Sequence, residues 1–491
     1  MCAALAQPFG SLSALIRGHA ARRGAHAALV EGERRVTYAD LDRRLDGIAA
    51  SMAASGTRAG DAVAICGSNS IDYAMVMLAA LRMGAVPALV PPSATPQARN
   101  AMILDSGAGL AFTDENMAVP TAGVDTPAVD YVPRPEHPFN IIYSSGTTGA
   151  PKGLVQPCSM RWVHMQRGPA YDYDEDAITL ISTPLYSNTT LVSFYPALAT
   201  GGSVVLMGKF DPGVFLALAE RHRVTHAMLV PVQYQRLLGY EGFARHDLRA
   251  FRMKLSTSAN FPAELKAQAL DRWPGGLTEY YGMTEGGATC VLMAHLHRDK
   301  LHTVGKPGQG VEVRFIDETG NEVPAGETGE IVGRSGAMMT GYHNRPRETA
   351  EAEWFDRDGR RFIRTGDVGR IDADGFVTLV DRRKDMIISG GFNIYPSDLE
   401  AVLREHAGVR EVAVAGVPSE RWGETPVAFV VPARTLDAAA LRDWANARLG
   451  KMQRLHAVEL VQELPRSAIG KVLKRDLRDA YGRKGRHERH E

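Results

Sequence analysis

The stretch Tyr143-Ser144-Ser145-Gly146-Thr147-Thr148-Gly149-Ala150-Pro151-Lys152-Gly153 gathers hydroxyls, glycines and one lysine directly after the apolar pair Ile141-Ile142. Glycines let a backbone approach an anion closely, hydroxyls donate to phosphate oxygens, and the lysine adds positive charge. That set suits a triphosphate. The lysine is followed by Gly153 rather than by a hydroxyl residue, so this is not the GxxxxGK[ST] loop, and ordinary P-loop phosphoryl transfer is disfavoured. Composition alone would make the stretch a surface loop; the order of its residues is what makes it specific.

Four further segments carry residues able to do chemistry, and each has an ordinary reading by itself. In Tyr280-Tyr281-Gly282-Met283-Thr284-Glu285, Thr284 and Glu285 read as a helix cap with an acidic first turn and Tyr281 as a core tyrosine. Arg364-Thr365-Gly366-Asp367 reads as a turn. Asp381-Arg382-Arg383-Lys384-Asp385 with Gly390-Gly391-Phe392-Asn393-Ile394-Tyr395-Pro396 reads as a strand-to-helix loop, and Pro465-Arg466-Ser467 with Gly470-Lys471 as a solvated basic stretch. His295, His297 and His302 lack metal-ligand spacing and read as surface histidines. No GxSxG elbow or GxGxxG fingerprint stands in a strand-turn-helix context, so neither a hydrolase nor a dehydrogenase is indicated.

The elements that must position these residues follow from pattern. A chain of 491 residues exceeds one core, so two or more domains are expected. Lys plus Arg equals Asp plus Glu at 56 each, which gives no field for nucleic acid or an anionic membrane. Four scattered cysteines argue against a disulfide framework and for a reducing, cytoplasmic setting. Leu12, Leu15, Ile16 and Ala20 have helical spacing rather than that of a signal peptide or anchor. Thr37 with Asp40 predicts a capped helix carrying Leu41, Leu45, Ile48 and Met52. Asp61 to Cys66 predicts a strand, Ile71 to Met83 a helix and Ala85 to Val90 a strand; Phe215 to His222 and His226 to Val230 repeat the helix-strand unit. This is the pattern of βα units around a parallel sheet. Beyond Leu301, turn signals at Glu318-Thr319-Gly320-Asn321 and Asp374-Gly375 predict hairpins. The last stretch regains αβ character, and the tail Gly482 to Glu491 is expected to fray.

Taken together and in this order, the five motifs resemble the signature of the adenylate-forming superfamily, which includes acyl-CoA synthetases, peptide-synthetase adenylation domains and luciferases. The resemblance implies an α/β fold: a large N-terminal domain of αβ layered sheets plus a β-rich subdomain, residues 1–381, and a small hinged α+β C-terminal domain, residues 382–491. It implies that a carboxylate attacks the α-phosphorus of ATP, expels pyrophosphate, and passes its acyl group to a thiol. It gives Ser144, Ser145, Gly146, Thr147, Thr148, Gly149 and Lys152 to the phosphates, Thr284 to the α-phosphate, and Glu285 with Thr148 to magnesium. Tyr281, with Tyr280 and Gly282 beside it, would hold adenine against Ser258, Ala259 and Asn260. Asp367 would accept from the ribose hydroxyls with Arg382 assisting, Lys384 would be the hinge, and Gly390, Gly391 and Asn393 would border the pantetheine path. Lys471 would be the mobile catalytic lysine.

The acid pocket implied by the resemblance is bounded by Tyr186, Ser187, Asn188, Val230, Gly286, Gly287 and Ala288, together with Tyr280 and Ala259. Many acyl- and aryl-CoA ligases carry histidine after Pro184-Leu185-Tyr186, whereas this chain has Ser187, which leaves open how acid or thiol is oriented there. A roomy Gly-Gly-Ala wall without a fixed cation favours an aromatic or medium-length apolar acid over one with a second carboxylate. The expected activity is an acid:CoA ligase using ATP, Mg2+ and coenzyme A, with a small carboxylic acid as partner, no nucleic acid, no membrane span, and a homodimer left open. The alternatives are a stand-alone adenylation enzyme loading a carrier-protein phosphopantetheine and a non-catalytic nucleotide binder.

Overall fold

A computed structural model describes residues 3–117, 131–144, 152–382, 385–389, 392–394, 396–419, 422–450, 453–467, 470 and 472–487. The chain packs as two units, residues 1–313 with 332–364, and residues 314–331 with 365–491.

The first unit is built on two sheets. In the nine-stranded sheet the spatial order is Lys306–Pro307, Cys290–Met293, Gly276–Tyr281, Met253–Ser256, His226–Leu229, Ile178–Ile181, Ser203–Leu206, Ala27–Glu31 and Arg34–Thr37. The six from Gly276–Tyr281 to Ala27–Glu31 run parallel, and the antiparallel strands stand at the two edges. In the six-stranded sheet the order is Gly341–Tyr342, Lys152–Pro157, Pro138–Ser144, Val86–Leu89, Ala62–Cys66 and Leu110–Thr113. The predicted elements are present: the strand Ala62–Cys66, the helix Ile71–Arg82, the strand Val86–Leu89, the helix Pro212–Arg221 and the strand His226–Leu229. Thr37 caps the helix Tyr38–Ala54, accepting from the Asp40 amide, and Leu41, Leu45, Ile48 and Met52 line its buried face. Leu12, Leu15 and Ile16 are buried along the helix Leu12–Arg23. These helices and the apolar strands share one core.

The second unit alternates its apolar residues between two faces. In the paired strands Val409–Ser419 and Gly423–Pro432, Val412, Val414, Ala428 and Val430 meet the helices Pro396–Arg404 and Ala438–Asn446 through Leu399, Leu403 and Leu441. Ala413, Ala415, Val417, Val427, Phe429 and Val431 pack on the other side with Leu464 and Leu477. A period of two makes both faces apolar, so each face is covered. Both predicted turns form, Asp317 receiving the amides of Thr319 and Asn321, and Asp372 that of Phe376. The tail differs from expectation. The helix Lys474–His487 includes Gly482 and continues to His487, anchored by buried Leu477 and by Tyr481 packed beside Phe429. The strand Val377–Arg382 pairs with Arg361–Ile371, and residues 365–491 belong with 314–331 to the second unit.

Cys66, Cys158 and Cys290 are free and buried, and burial pushes the thiols of Cys158 and Cys290 up to about 12, leaving them protonated. Among the described residues no helix is long and apolar enough to cross a membrane, and no cluster of metal-ligating side chains forms. His302 is exposed, and His295 is engaged by the Leu277 backbone.

Beneath the strand Gly276–Tyr281 lies a buried ion pair, Lys266 to Glu279 at 2.5 Å, with Lys266 Nζ also donating to the carbonyls of Leu301 and Thr303. Burial raises the Glu279 carboxyl to about 6, against the pull of Lys266. Lys266→Met strands that carboxylate and is expected to destabilise the unit by about 3–5 kcal/mol at pH 8. The folded state holds the Glu279 proton more tightly than the unfolded chain, so stability from this group is present below about 4.5 and lost as pH rises through about 6. The variant's thermal deficit, measured at pH 8 and pH 5.5, should therefore shrink at the lower pH.

Candidate active site

Four neighbouring parallel strands deliver their carboxyl ends to one region. Ser182 to Asn188 follows Ile178–Ile181, Val230 follows His226–Leu229, Ser258 to Asn260 follows Met253–Ser256, and Gly282 to Ala288 follows Gly276–Tyr281. Open parallel sheets bind ligands in the crevice outside the carboxyl ends of their strands. The sequence motifs at 186–188, 230, 258–260 and 280–288, separated by up to a hundred residues, thus converge.

Each loop is fixed by its own hydrogen bonds. Buried Asn69 donates to the carbonyls of Thr183 and Met207 at 2.9 and 3.2 Å and accepts from the Leu185 amide at 2.7 Å, which sets the approach to Tyr186. Ser187 is buried, its amide donating to the Pro184 carbonyl at 2.9 Å, and it opens the helix Asn188–Thr200. The Val230 amide donates to Gln233, which opens the helix Pro231–Leu238. Ser258 has φ +81, a left-handed conformation that a side chain adopts only under constraint, and its hydroxyl is hydrogen-bonded to that of Thr189.

Thr284 and Glu285 do not cap a helix. They occupy a tight turn in which the Gly286 amide donates to the Met283 carbonyl at 3.0 Å. Gly286 and Gly287 then take φ +78 and +88, and a Cβ on either would lie 2.0 Å from the Ala337 carbonyl or 2.4 Å from that of Gly333. Only glycine fits, so the wall Gly286-Gly287-Ala288 is dictated by backbone packing, a signal the sequence reading took as room for substrate. Tyr281 is buried, and Tyr280, pointing to the opposite face of the strand, packs edge-on to Tyr171 at 5.2 Å.

Lys152 and Glu285 come together through a residue that the sequence reading missed. Tyr342 donates its hydroxyl proton to Glu285 Oε1 at 2.6 Å, while Lys152 Nζ stands 5.2 Å from the centre of the Tyr342 ring. Tyr342 reaches this place because Gly341–Tyr342 pairs with Lys152–Pro157, Tyr342 opposite Leu154. Burial and the Glu285 charge raise the Tyr342 phenol, so it stays a donor at neutral pH. A hard divalent cation suits the carboxylate so held, since magnesium prefers oxygen ligands. A Gly-Tyr pair on a two-residue strand gave no pattern to find it by.

Ser144 ends the strand Pro138–Ser144 and lies opposite Lys152 in antiparallel register. Ser145, Gly146, Thr147, Thr148 and Gly149 between them lie outside the described residues, as do Lys384, Gly390, Gly391 and Lys471. In the second unit, Asp367 is buried and sits opposite Arg382 across paired strands, its amide donating to Thr365 Oγ1 at 3.0 Å. Asn393 lies on the strand Phe392–Ile394, opposite Ile388. Before Lys471 in the sequence, Arg466 donates to the Gly470 carbonyl at 2.9 Å and to Glu411 at 2.5 Å.

The sequence profile of the AMP-binding enzyme family matches residues 16–343, and that of the AMP-binding enzyme C-terminal domain matches residues 398–471. A feruloyl-CoA synthase from an Amycolatopsis species is 36% identical, over 94% of this chain and 97% of its own. An indoleacetate–CoA ligase from Aromatoleum aromaticum is 32% identical, over 96% and 98%. The solved o-succinylbenzoate coenzyme A synthetase from Bacillus subtilis, in complex with ATP and magnesium ion, superposes with a TM-score of 0.81 at 26% identity, over 94% of this chain and 98% of that one. With the strand ends and the glycine wall arranged as above and both profiles matched in order, the chain belongs to the AMP-binding, adenylate-forming enzyme family.

Proposed function

We propose that this protein is an ATP-dependent carboxylic acid:CoA ligase. The carboxylate oxygen attacks the α-phosphorus of ATP, the bond to pyrophosphate breaks, and an acyl-AMP forms; the thiol of coenzyme A then attacks the acyl carbon, and AMP leaves. The observation that carries this reading is the Lys152–Tyr342–Glu285 arrangement, which joins the lysine of the phosphate-binding string to the carboxylate suited to a cation. Bound magnesium supplies charge neutralisation of the phosphates. Lys152 adds a second positive charge, and Tyr342 keeps Glu285 oriented while the phosphates approach.

In this reading Thr284 bonds the α-phosphate, Tyr281 and the Ser258-Ala259-Asn260 loop flank adenine, and Asp367 with Arg382 takes the ribose hydroxyls, since an acceptor-only carboxylate suits a vicinal diol. Thr148 joins Glu285 at magnesium, and Lys471 bridges carboxylate and α-phosphate, as a compact ammonium on a flexible stem can. The segment 382–491 turns about Lys384 between half-reactions, with Gly390, Gly391 and Asn393 along the pantetheine path. The acid is aromatic: no fixed cation stands among the pocket residues, and relatives are named for feruloyl and indoleacetate substrates. The enzyme is cytoplasmic, consistent with its free buried cysteines, and sedimentation decides between monomer and homodimer.

Three outcomes follow. A panel of aromatic and aliphatic acids should give CoA-dependent AMP release, with hydroxycinnamic or arylacetic acids best; thioester formed only on a phosphopantetheinyl carrier protein would replace CoA as acceptor. Tyr342→Phe should lower adenylation by roughly 10–100-fold, the usual effect of removing a partner that orients a metal-binding carboxylate, and raise the magnesium concentration needed for half-maximal rate. Lys471→Ala should abolish acid-dependent ATP/pyrophosphate exchange while transfer from supplied acyl-AMP to CoA survives; equal loss of both steps would contradict the division of labour.

A further inference from the structure

Under the strand ends lies a chain of hydrogen bonds whose direction one residue dictates. Arg161, on the helix Cys158–Gln166, is fully buried, and no ion pair among the described residues involves it. Burial lowers its guanidinium to about 10, so it is charged at neutral pH, partly offset by the Tyr195 ring 5.5 Å away. A guanidinium donates and never accepts. Its Nε donates to Asn140 Oδ1 at 3.0 Å and its terminal nitrogen to Gln156 Oε1. Both amide oxygens must therefore face Arg161, which settles an orientation that amides otherwise leave ambiguous. Asn140 Nδ2 donates to the same Gln156 oxygen at 3.1 Å. The Gln156 NH2 group is thereby turned outward, donating to the Thr284 carbonyl at 2.8 Å and to Asn188 Oδ1 at 3.3 Å. With its oxygen so used, half-buried Asn188 has Nδ2 left as the donor end of the chain, at the start of the helix Asn188–Thr200.

We propose that Gln156 is a positioning residue for adenylation, and that Asn188 Nδ2 is the hydrogen-bond donor that receives an oxygen of the incoming carboxylate. The proposal rests on the reading above, in which Thr284 meets the α-phosphate and Asn188 lines the acid pocket. Polarity supports it: an ionised carboxylate only accepts, and Arg161 forces the chain to end in a donor. Geometry supports it as well, since one amide group ties the turn that meets the nucleotide to the helix that meets the acid, fixing the two reactants against each other.

Two substitutions test the chain at different points. Gln156→Glu preserves acceptors for Arg161 and Asn140 but removes both outward donors. Asn188→Asp preserves the acceptor for Gln156 but removes Nδ2. Acid-dependent ATP/pyrophosphate exchange is measured for both, with thermal melting alongside. The expected result is an acid KM raised at least about tenfold in each, the size of one charge-assisted hydrogen bond, with ATP KM within about twofold of parental in Asn188→Asp. A merely structural role would lower the melting temperature or the active fraction and leave acid KM alone. Should Gln156→Glu fail to fold, Asn188→Asp decides. Parental acid KM in Asn188→Asp, or in folded Gln156→Glu, overturns the proposal. Absence of exchange in the unsubstituted protein would overturn the acid-activating reading together with it, and that control separates the two failures.

Discussion

Two anions that repel each other must be brought to bonding distance, and the architecture of the active region answers that constraint. A carboxylate and a phosphate oxygen at 4 Å repel by about 4 kcal/mol per pair of charges in a partly screened site, and a triphosphate presents several such charges. The chain has no net charge to help, with 56 basic and 56 acidic residues. Positive potential therefore has to be local. Lys152 lies over the ring of Tyr342, Tyr342 orients the carboxylate of Glu285, which suits a divalent cation, and Arg161 lies beneath Gln156 in no ion pair among the described residues.

Holding such groups in place requires a rigid base, and the parallel sheet supplies it. Its interior strands are buried on both sides, so they cannot shift without exposing apolar surface, and their carboxyl ends fix the loops that carry chemistry. Three buried polar contacts tie that surface to its base: Asn69 under Thr183 to Leu185, Lys266 with Glu279 of the strand Gly276–Tyr281, and Gln156 under Thr284. Rigidity below and strain above, as at Ser258 with φ +81, are two aspects of one preorganised surface.

Much of this was legible in the chain itself. Period and capping located the helices Tyr38–Ala54 and Ile71–Arg82 and the strands between them, because local spacing and burial agree there. The order of five motifs pointed to the fold and its chemistry, and both family profiles match in that order. What was not legible depends on tertiary partners. The shape of the turn at Thr284 and Glu285 is one case: the glycines that follow take left-handed backbone against the Ala337 and Gly333 carbonyls, so no helix starts there. The charged tail looked unable to order, yet Leu477 and Tyr481 give its helix an apolar anchor. Tyr342, Gln156 and Arg161 carry no motif; their importance lies in which atoms they face, and only the fold reveals that.

In the activating step a carboxylate oxygen bonds to the α-phosphorus of ATP. Labelling tests it directly: an aromatic acid carrying 18O in both carboxylate positions is turned over with unlabelled ATP, magnesium and CoA, and AMP and pyrophosphate are analysed by mass spectrometry. One labelled oxygen in AMP and none in pyrophosphate is the expected result, since the bridging oxygen leaves with AMP when the acyl carbon is attacked. Unlabelled AMP, or label in phosphate or pyrophosphate, would contradict the account.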